Sequence, residues 1–401
     1  MLKFYSGSTA NVNSRKAIRE CLEIALDGEP NLDCDLIILH SSIGHNFIEL
    51  LSEARKLAPS AQIAGCTGAG VIGIEGPNES MKALAIMAIK GPKTEFAIAG
   101  TGSLPEEDPV QQAFDVAQVL RDRNPHIQQI YFLPPLGYYI PDKAIESIES
   151  VFGPEVSIFG GVGIDNMKLV SCFSFLDDQI LERDTVMIGF ADPTLHMYGQ
   201  ASHGTKVLTG TRYVVTKSKD NLILEFNGQP AWKFFSSALG LAEDASFLDA
   251  MVMGFLATAR PEEVQEAYGH EYYIGPIWGD PETGSLRNNI IVEEGMVFYL
   301  AKRDEELMFR GVDRIAHRIS DHVKGKTPVA VFHADCMIRG RLSFNRDLKD
   351  EIVKRMQAPI FEEKRIPWLG FYSGGEISRI GGKNEFNAFS TTLSILYRND
   401  E

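Results

Sequence analysis

The stretch "GFYSGGEISRIGG" (370–382) and the earlier "GCTGAGVIG" (65–73) share one grammar. Each follows a short apolar run, Trp368-Leu369 or Ile63-Ala64, and each reads glycine, four residues, glycine, one residue, isoleucine. A phosphate-binding Walker loop needs a lysine after its second glycine. Here Val71 and Glu376 stand there instead, and Glu376 would repel a phosphate. Gly68, Gly70 and Gly73 do spell GxGxxG, but a dinucleotide site also needs a helix starting at once, and Gly76-Pro77 would break one. The remaining readings are a corner where a strand turns and glycine allows close backbone approach, or the rim of a pocket. The rim carries polar side chains, Thr67 in one copy and Tyr372, Ser373 and Glu376 in the other. A third glycine turn, "FGGVGID" (159–165), ends in Asp165.

Around these corners the pattern alternates strand and helix. "KFYSGS" and "CDLIILHSS" read as strands, and residues 14–27 place Ala17, Ile18, Cys21, Leu22 and Ala25 on one helical face, with Ser14 as start cap and Gly28 as stop. Asn46 with Glu49 opens a second helix that Pro59 ends, and Asp108-Pro109 opens a third. "AQIAGC", "KALAIMAI", "TEFAIAG", "QIYFLPPL" and "VSIFGG" are apolar runs of strand length, with a helix over 141–152 before the last. After residue 166, "LVSCFSFLDDQILERDTVMIGF" reads as a hairpin turning at Asp177-Asp178. "TRYVV" and "LILEF" flank the polar "TKSKDN", and a boundary is placed there, giving domains 1–218 and 219–401. The second half repeats helix, strand, glycine turn. The expected fold is therefore α/β: two packed domains, each a mixed sheet covered by helices, with internal duplication as an open reading.

Composition narrows the function. The chain has 401 residues, 44% hydrophobic and 23% charged, and a net charge of −15. That balance suits a globular protein and argues against a nucleic-acid surface or docking on anionic membranes. No signal peptide or apolar run long enough to span a bilayer is visible, and the five cysteines include no CxxC pair, so reduced thiols in a cytoplasm are expected.

The combination Cys336-x-x-Arg339-Gly340, Gly370-Phe371-Tyr372 and Gly375-Glu376-Ile377 makes the resemblance specific. With "IAGCTGAGVIG", "FGGVGID", "EFNGQPAWKFFSSALG", "FHADCMIRG" and "WLGFYSGGEISRIGG" in order, the chain resembles FIST proteins, with N-terminal and C-terminal FIST domains in tandem. The resemblance implies a sensory input module for small ligands such as amino acids, working through a histidine kinase or chemoreceptor. Some members are similar to haem-binding nitric-oxide sensors. Two departures stand out: Val71 replaces an acid common in the family's first turn, and Asn387 lies about where a histidine is expected.

The candidate ligand-binding residues are Thr67, Asp165, Cys336, Arg339, Tyr372, Ser373 and Glu376. Arg339 follows a buried strand, so its guanidinium needs an internal carboxylate or a ligand carboxylate. Glu376 and Asp165 carry the matching ambiguity: ligand ammonium or internal partner. Cys336 reads as a small buried hydrophobe or as a thiolate nucleophile of an amide or ester hydrolase, with His333 nearby in sequence. Cys66 has the same two readings. His203 and His333 are the candidate haem ligands, the histidines form no zinc pattern, and Tyr138-Tyr139 could rim a pocket. The leading expectation is a cytoplasmic sensor holding a small polar ligand between its halves. A haem-based gas sensor and a cysteine hydrolase are the alternatives.

Overall fold

The computed structural model describes residues 1–102, 108–137, 141–166, 168, 170–242, 245–340, 346–361 and 365–400. Its chain runs through one unit three times. The first comprises β1 (Lys3–Thr9), α1 (Ser14–Ala25), β2 (Leu36–Ser41), α2 (Phe47–Leu57), β3 (Gln62–Thr67), the hairpin β4 (Val71–Gly73) and β5 (Gly76–Asn78), and β6 (Leu84–Lys90). The second repeats it as β7 (Phe96–Gly100), α3 (Pro109–Arg123), β8 (Gln129–Leu133), α4 (Pro141–Phe152), β9 (Ser157–Gly161), the hairpin β10 (Phe173–Leu176) and β11 (Gln179–Glu182), and β12 (Val186–Phe190).

The third unit opens with β13 (His196–Ser202) and is then interrupted. The insert holds β14 (Thr205–Lys219), β15 (Leu222–Phe226), β16 (Gln229–Pro230), α5 (Ala231–Ala238), α6 (Phe247–Met253), β17 (Phe255–Thr258) and α7 (Glu262–Gln265). It ends with β18 (Tyr273–Gly275), β19 (Trp278–Asp280), β20 (Ser285–Arg287) and β21 (Val297–Arg303). The unit resumes with α8 (Glu305–Val323), β22 (Lys326–Cys336), α9 (Arg346–Ile360), β23 (Trp368–Ser373), the hairpin β24 (Glu376–Ile380) and β25 (Lys383–Asn387), and β26 (Thr391–Asn399).

Each unit builds a six-stranded sheet but gives its hairpin away. The sheet orders are β1-β6-β2-β3-β10-β11, β7-β12-β8-β9-β24-β25 and β13-β26-β22-β23-β4-β5. The first unit's hairpin therefore completes the third sheet, the third completes the second, and the second completes the first. In each sheet the strands before and after the second helix run parallel, as a βαβ crossover requires, and their other neighbours are antiparallel. The α/β class with mixed sheets covered by helices is thus what the chain forms, and its internal repetition is threefold. Residue 218 lies inside β14, and the insert forms its own sheet, β18-β17-β21-β14-β15-β20-β19.

Two-sided burial explains the solid apolar runs in the sequence. In β2, Leu36 and Ile38 face a central core shared by all three sheets, while Ile37 and Leu39 face α1 and α2. In β6, Ala85, Met87 and Ile89 point to the centre, and Leu84, Ile86 and Ala88 point outward. The centre is aromatic: Phe332 stands 4.7 Å from Tyr131 and 5.2 Å from Phe159. Among the described residues, no helix is long and apolar enough to cross a membrane.

Local signals are mostly used as the sequence suggests. Asn46 caps α2, Asp108 caps α3, and Asp177 turns the β10–β11 hairpin at φ 53. The cap of α1 differs. Asn13 accepts the Lys16 amide, because the Ser14 hydroxyl is already held between His45 Nδ1 at 3.2 Å and the Asn46 amide at 2.9 Å. That serine ties α1 to the start of α2.

The glycine corners superpose in register. Gly65, Gly160 and Gly370 pair with Leu39, Phe132 and His333 on the parallel neighbour strand, and a methyl on any of them would strike that partner's carbonyl oxygen. Gly65 and Gly160 also have φ of +155 and +140. Gly65→Ala or Gly160→Ala should therefore cost about 3 kcal/mol or more in urea unfolding. Gly210→Ala, with nothing within 4 Å of the added carbon, should stay within about 0.5 kcal/mol of wild type.

Candidate functional site

Past each of these glycines the chain turns out of its sheet and meets the next unit. The amide four residues on donates to a carbonyl of another corner: Ala69 to Tyr372 at 2.9 Å, Gly374 to Val162 at 3.0 Å, and Ile164 to Thr67 at 3.0 Å. These three bonds close a ring through all three units.

The polar rim of that ring is turned inward. The Thr67 hydroxyl accepts the Phe173 amide at 3.0 Å. The Asp165 carboxylate accepts the amides of Lys168 and Val170, each at 2.8 Å. Arg339 donates from Nε to Asp335 at 2.8 Å and from its terminal nitrogen to the His203 carbonyl at 2.9 Å. Its carboxylate partner is thus Asp335, four residues earlier on β22. Tyr372 is buried opposite Asp335 on the neighbouring strand, and burial raises its pKa. Ser373 donates to Glu376 Oε1 at 2.8 Å, and Ser390 donates to Oε2 from both its hydroxyl, at 2.7 Å, and its amide, at 3.0 Å. Desolvation still outweighs those bonds and pushes the Glu376 carboxyl up to about 8.

A cavity of about 270 Å³ opens beside the ring, walled by all three parts of the chain. Leu136, Val162, Ile164 and Cys172 come from the second unit. Phe247, Met251, Ile277 and Trp278 come from the insert, where Phe247 and Met251 lie one helical turn apart on α6. Cys336, Met337, Ile338, Gly374, Phe386 and Phe389 close the third side. Of the seven residues singled out in the sequence, Cys336 reaches this wall. The other six sit in the packed rim described above. Tyr138 and Tyr139 lie outside the described residues.

Neither cysteine candidate is set up as a nucleophile. Cys336 and His333 are an odd number of residues apart along β22, so they project to opposite faces. Burial pushes the Cys336 thiol up, and the Glu376 charge adds to it. Cys66 lies 3.5 Å from His40 Nδ1, and His40 Nε2 lies 2.7 Å from the Tyr131 hydroxyl. All three are sealed in the central core, where desolvation lowers His40 to about 3 and raises Cys66 and Tyr131. They form a neutral hydrogen-bonded chain buried in the core.

A haem held through histidine does not fit the cavity either. No histidine lines it among the described residues. His333 bonds Thr391 at 2.9 Å, and His203 Nε2 lies 2.9 Å from an Arg260 nitrogen. Burial and the Arg260 and Arg339 charges keep His203 neutral.

Arg260 has no motif to announce it, and it bonds the residues on either side of Phe386, which lines the cavity. It follows β17 in the insert and is fully enclosed. Its guanidinium carbon lies 3.4 Å from the ring centre of Tyr268 and 3.9 Å from that of Tyr273. It donates to Glu385 at 2.9 Å and to Asn387 at 2.9 Å, both on β25. Tyr273 binds the other Glu385 oxygen at 2.8 Å. Strand alternation then aims Phe386 into the cavity between them. Asn387, where a histidine is expected from family resemblance, serves here as a guanidinium acceptor.

The FIST N domain model matches residues 35–229, and the FIST C domain model matches 231–379. The uncharacterized protein Rv0628c of Mycobacterium tuberculosis H37Rv is 23% identical over 370 residues, covering 90% of both chains. The uncharacterized protein Mb0898c of Mycobacterium bovis is 22% identical over 399 residues, covering 97% of both. Among solved structures, the cyanuric acid hydrolase from A. caulinodans aligns over 100% of both chains at 9% identity with a TM-score of 0.37, a likeness too slight to carry an inference.

Two outcomes check this geometry. Arg260→Met leaves the partly buried Glu385 carboxylate without its cation and should cost about 3 kcal/mol by urea unfolding, with part of the loss recovered in Arg260→Met/Glu385→Gln. For Glu376, the folded chain keeps a proton between pH 4.5 and about 8 that the unfolded chain has released. Its contribution to stability is therefore full at low pH and drains as pH rises through 8. The melting temperature of wild type relative to Glu376→Gln should fall across that window and level off above it. A pH-independent difference would show that Glu376 titrates normally.

Proposed function

The chain belongs to the FIST family, whose domains are small-ligand sensory domains of signalling proteins, and from that membership we propose that its ligand binds in the cavity beside the corner ring. The bound state is then read by a separate kinase or receptor chain in the cytoplasm. The observation that carries this reading is the origin of the walls. A single guest touches the FIST N corner at Val162 and Ile164, the FIST C segment at Met337 and Ile338, and the insert through α6 and β19. Binding energy spent there acts on how these parts pack, which is what a sensor needs. The five buried, unpaired thiols support a reducing compartment.

The cavity also changes the kind of ligand. Arg339 and Glu376, the pair suited to a zwitterion, are committed to Asp335 and to Ser373 and Ser390. The guest meets mostly hydrocarbon and sulfur.

Small organic acids, their amides and amino acids screened at millimolar concentration should include one that raises the melting temperature. Saturation to ~100 times Kd is worth about 2.7 kcal/mol, a shift of several degrees. Ala388 also lines the cavity, and Ala388→Phe, which fills it, should remove that shift while leaving the circular dichroism unchanged. A shift that survives Ala388→Phe would move the site elsewhere.

A further inference from the structure

Polar groups on the cavity wall are already engaged by the protein itself. Ser171 donates from its hydroxyl to Glu182 at 2.6 Å. Arg183 is exposed and donates to the Val170 carbonyl at 2.6 Å. Arg287 donates to Asn221 Oδ1 at 3.2 Å and takes part in a further interaction. The backbone is committed in the same way. The Leu136 amide donates to the Gly163 carbonyl at 3.1 Å, the Ile164 amide to Thr67 at 3.0 Å and the Gly374 amide to Val162 at 3.0 Å. Burial keeps the thiols of Cys172 and Cys336 protonated. No aspartate or glutamate stands on the described wall.

What a guest meets instead is ring and sulfur. Phe247 and Trp278 come from the insert, with ring centres 5.8 Å apart and planes tilted by 45°. Phe389 is backed by Phe255 at 4.6 Å. Phe386 lies against a glycine corner, where a methyl on Gly375 would stand 2.2 Å from its ring. These rings are held by packing, so little freedom is lost in ordering them around a guest. Met251, Met337, Cys172 and Cys336 bring four sulfurs to the same wall, and thioether sulfur makes favourable contacts with ring edges. An apolar cavity of ~150 Å³ holds a benzene ring, so one of about 270 Å³ holds on the order of ten non-hydrogen atoms.

A charged headgroup suits this wall badly. A carboxylate entering it gives up its hydration, and an ion pair with an exposed guanidinium returns little because water screens it. The chain's net charge of −15 also opposes the approach of an anion. An ammonium meets no carboxylate on the described wall. Resting on the cavity as the ligand site, we propose that it selects a small uncharged aromatic molecule. The ring packs among Phe247, Trp278, Phe386 and Phe389 with methionine sulfur at its edge, and a neutral polar group on the guest stays at the mouth, in water.

Calorimetric titration of the full chain at neutral pH with 3-phenylpropionamide, 3-phenylpropionate, 3-phenylpropylamine and 3-cyclohexylpropionamide tests the proposal. The first three share one body and differ in headgroup charge, and the last replaces the aromatic ring by a saturated one. The phenyl amide should bind roughly tenfold or more tightly than the carboxylate or the ammonium. It should bind about threefold more tightly than the cyclohexyl amide. Met251→Leu, a swap of similar volume that cores tolerate, should narrow that second gap. A carboxylate or ammonium that binds as tightly as the phenyl amide, with Ala388→Phe abolishing both, would overturn the uncharged guest and leave the cavity as the site. A cyclohexyl amide as tight as the phenyl one, and equally lost in Ala388→Phe, would overturn the aromatic guest in the same way. Phenyl amide binding that survives Ala388→Phe, or no binding by any of the four, would overturn both the guest and the cavity.

Discussion

Three backbone amides at the glycine corners each donate to a carbonyl of another unit, and the exchange of hairpins depends on that closed ring. A single such bond contributes about 1 kcal/mol net, but an amide buried without its partner costs more than the bond gains. The corners lie where β3, β9 and β23 end, in a buried junction, so an unmade bond there would leave a polar group with neither partner nor water. Glycine is required because the strand that enters each corner presses on its parallel neighbour, where Gly65, Gly160 and Gly370 face carbonyl oxygens with no room for a methyl. Once the ring closes, each hairpin is delivered to the edge of another unit's sheet. No unit then holds a complete sheet of its own, and the three share one core.

That arrangement accounts for the buried charge around the corners. Asp165 is consumed in turning the loop before β10, Asp335 in holding Arg339, and Ser373 and Ser390 in satisfying Glu376. These side chains look like a binding site in one dimension because polar groups beside glycines suggest ligand contact. In three dimensions they are the hydrogen-bond accounting of a crowded junction. The cavity is formed beside the junction, where the insert leans over it, and its wall takes the apolar side of the same segments.

The insert makes the third unit different from the other two. Arg260, enclosed between Tyr268 and Tyr273, fastens it to β25, a hairpin strand that belongs to the third unit by sequence and to the second sheet by pairing. One buried cation therefore links the insert to a strand shared by two units. The cost of burying a guanidinium is met by Glu385, Asn387 and two aromatic faces, and the return is a fixed wall opposite α6.

The α/β class, most elements and several caps were legible in the sequence, because apolar period, Asn46, Asp108 and the Asp177-Asp178 turn act through neighbours within a few residues. The recurrence of the glycine corners was legible too, since close backbone approach leaves only glycine able to stand there. Their number and closure were not, because the hydrogen bonds that join them run from Ala69 to Tyr372 and from Ile164 to Thr67, and nothing local records a partner so far along the chain. Arg339 shows the same division. Its need for an acid follows from a buried guanidinium alone, whereas the choice of Asp335 over Glu376 depends on which face of β22 turns toward the junction. Arg260, Arg183 and Arg287 carry no motif at all. Whether an arginine ends up sandwiched between tyrosines or at the edge of a cavity is decided by how sheets from distant parts of the chain pack, and only the tertiary structure fixes that.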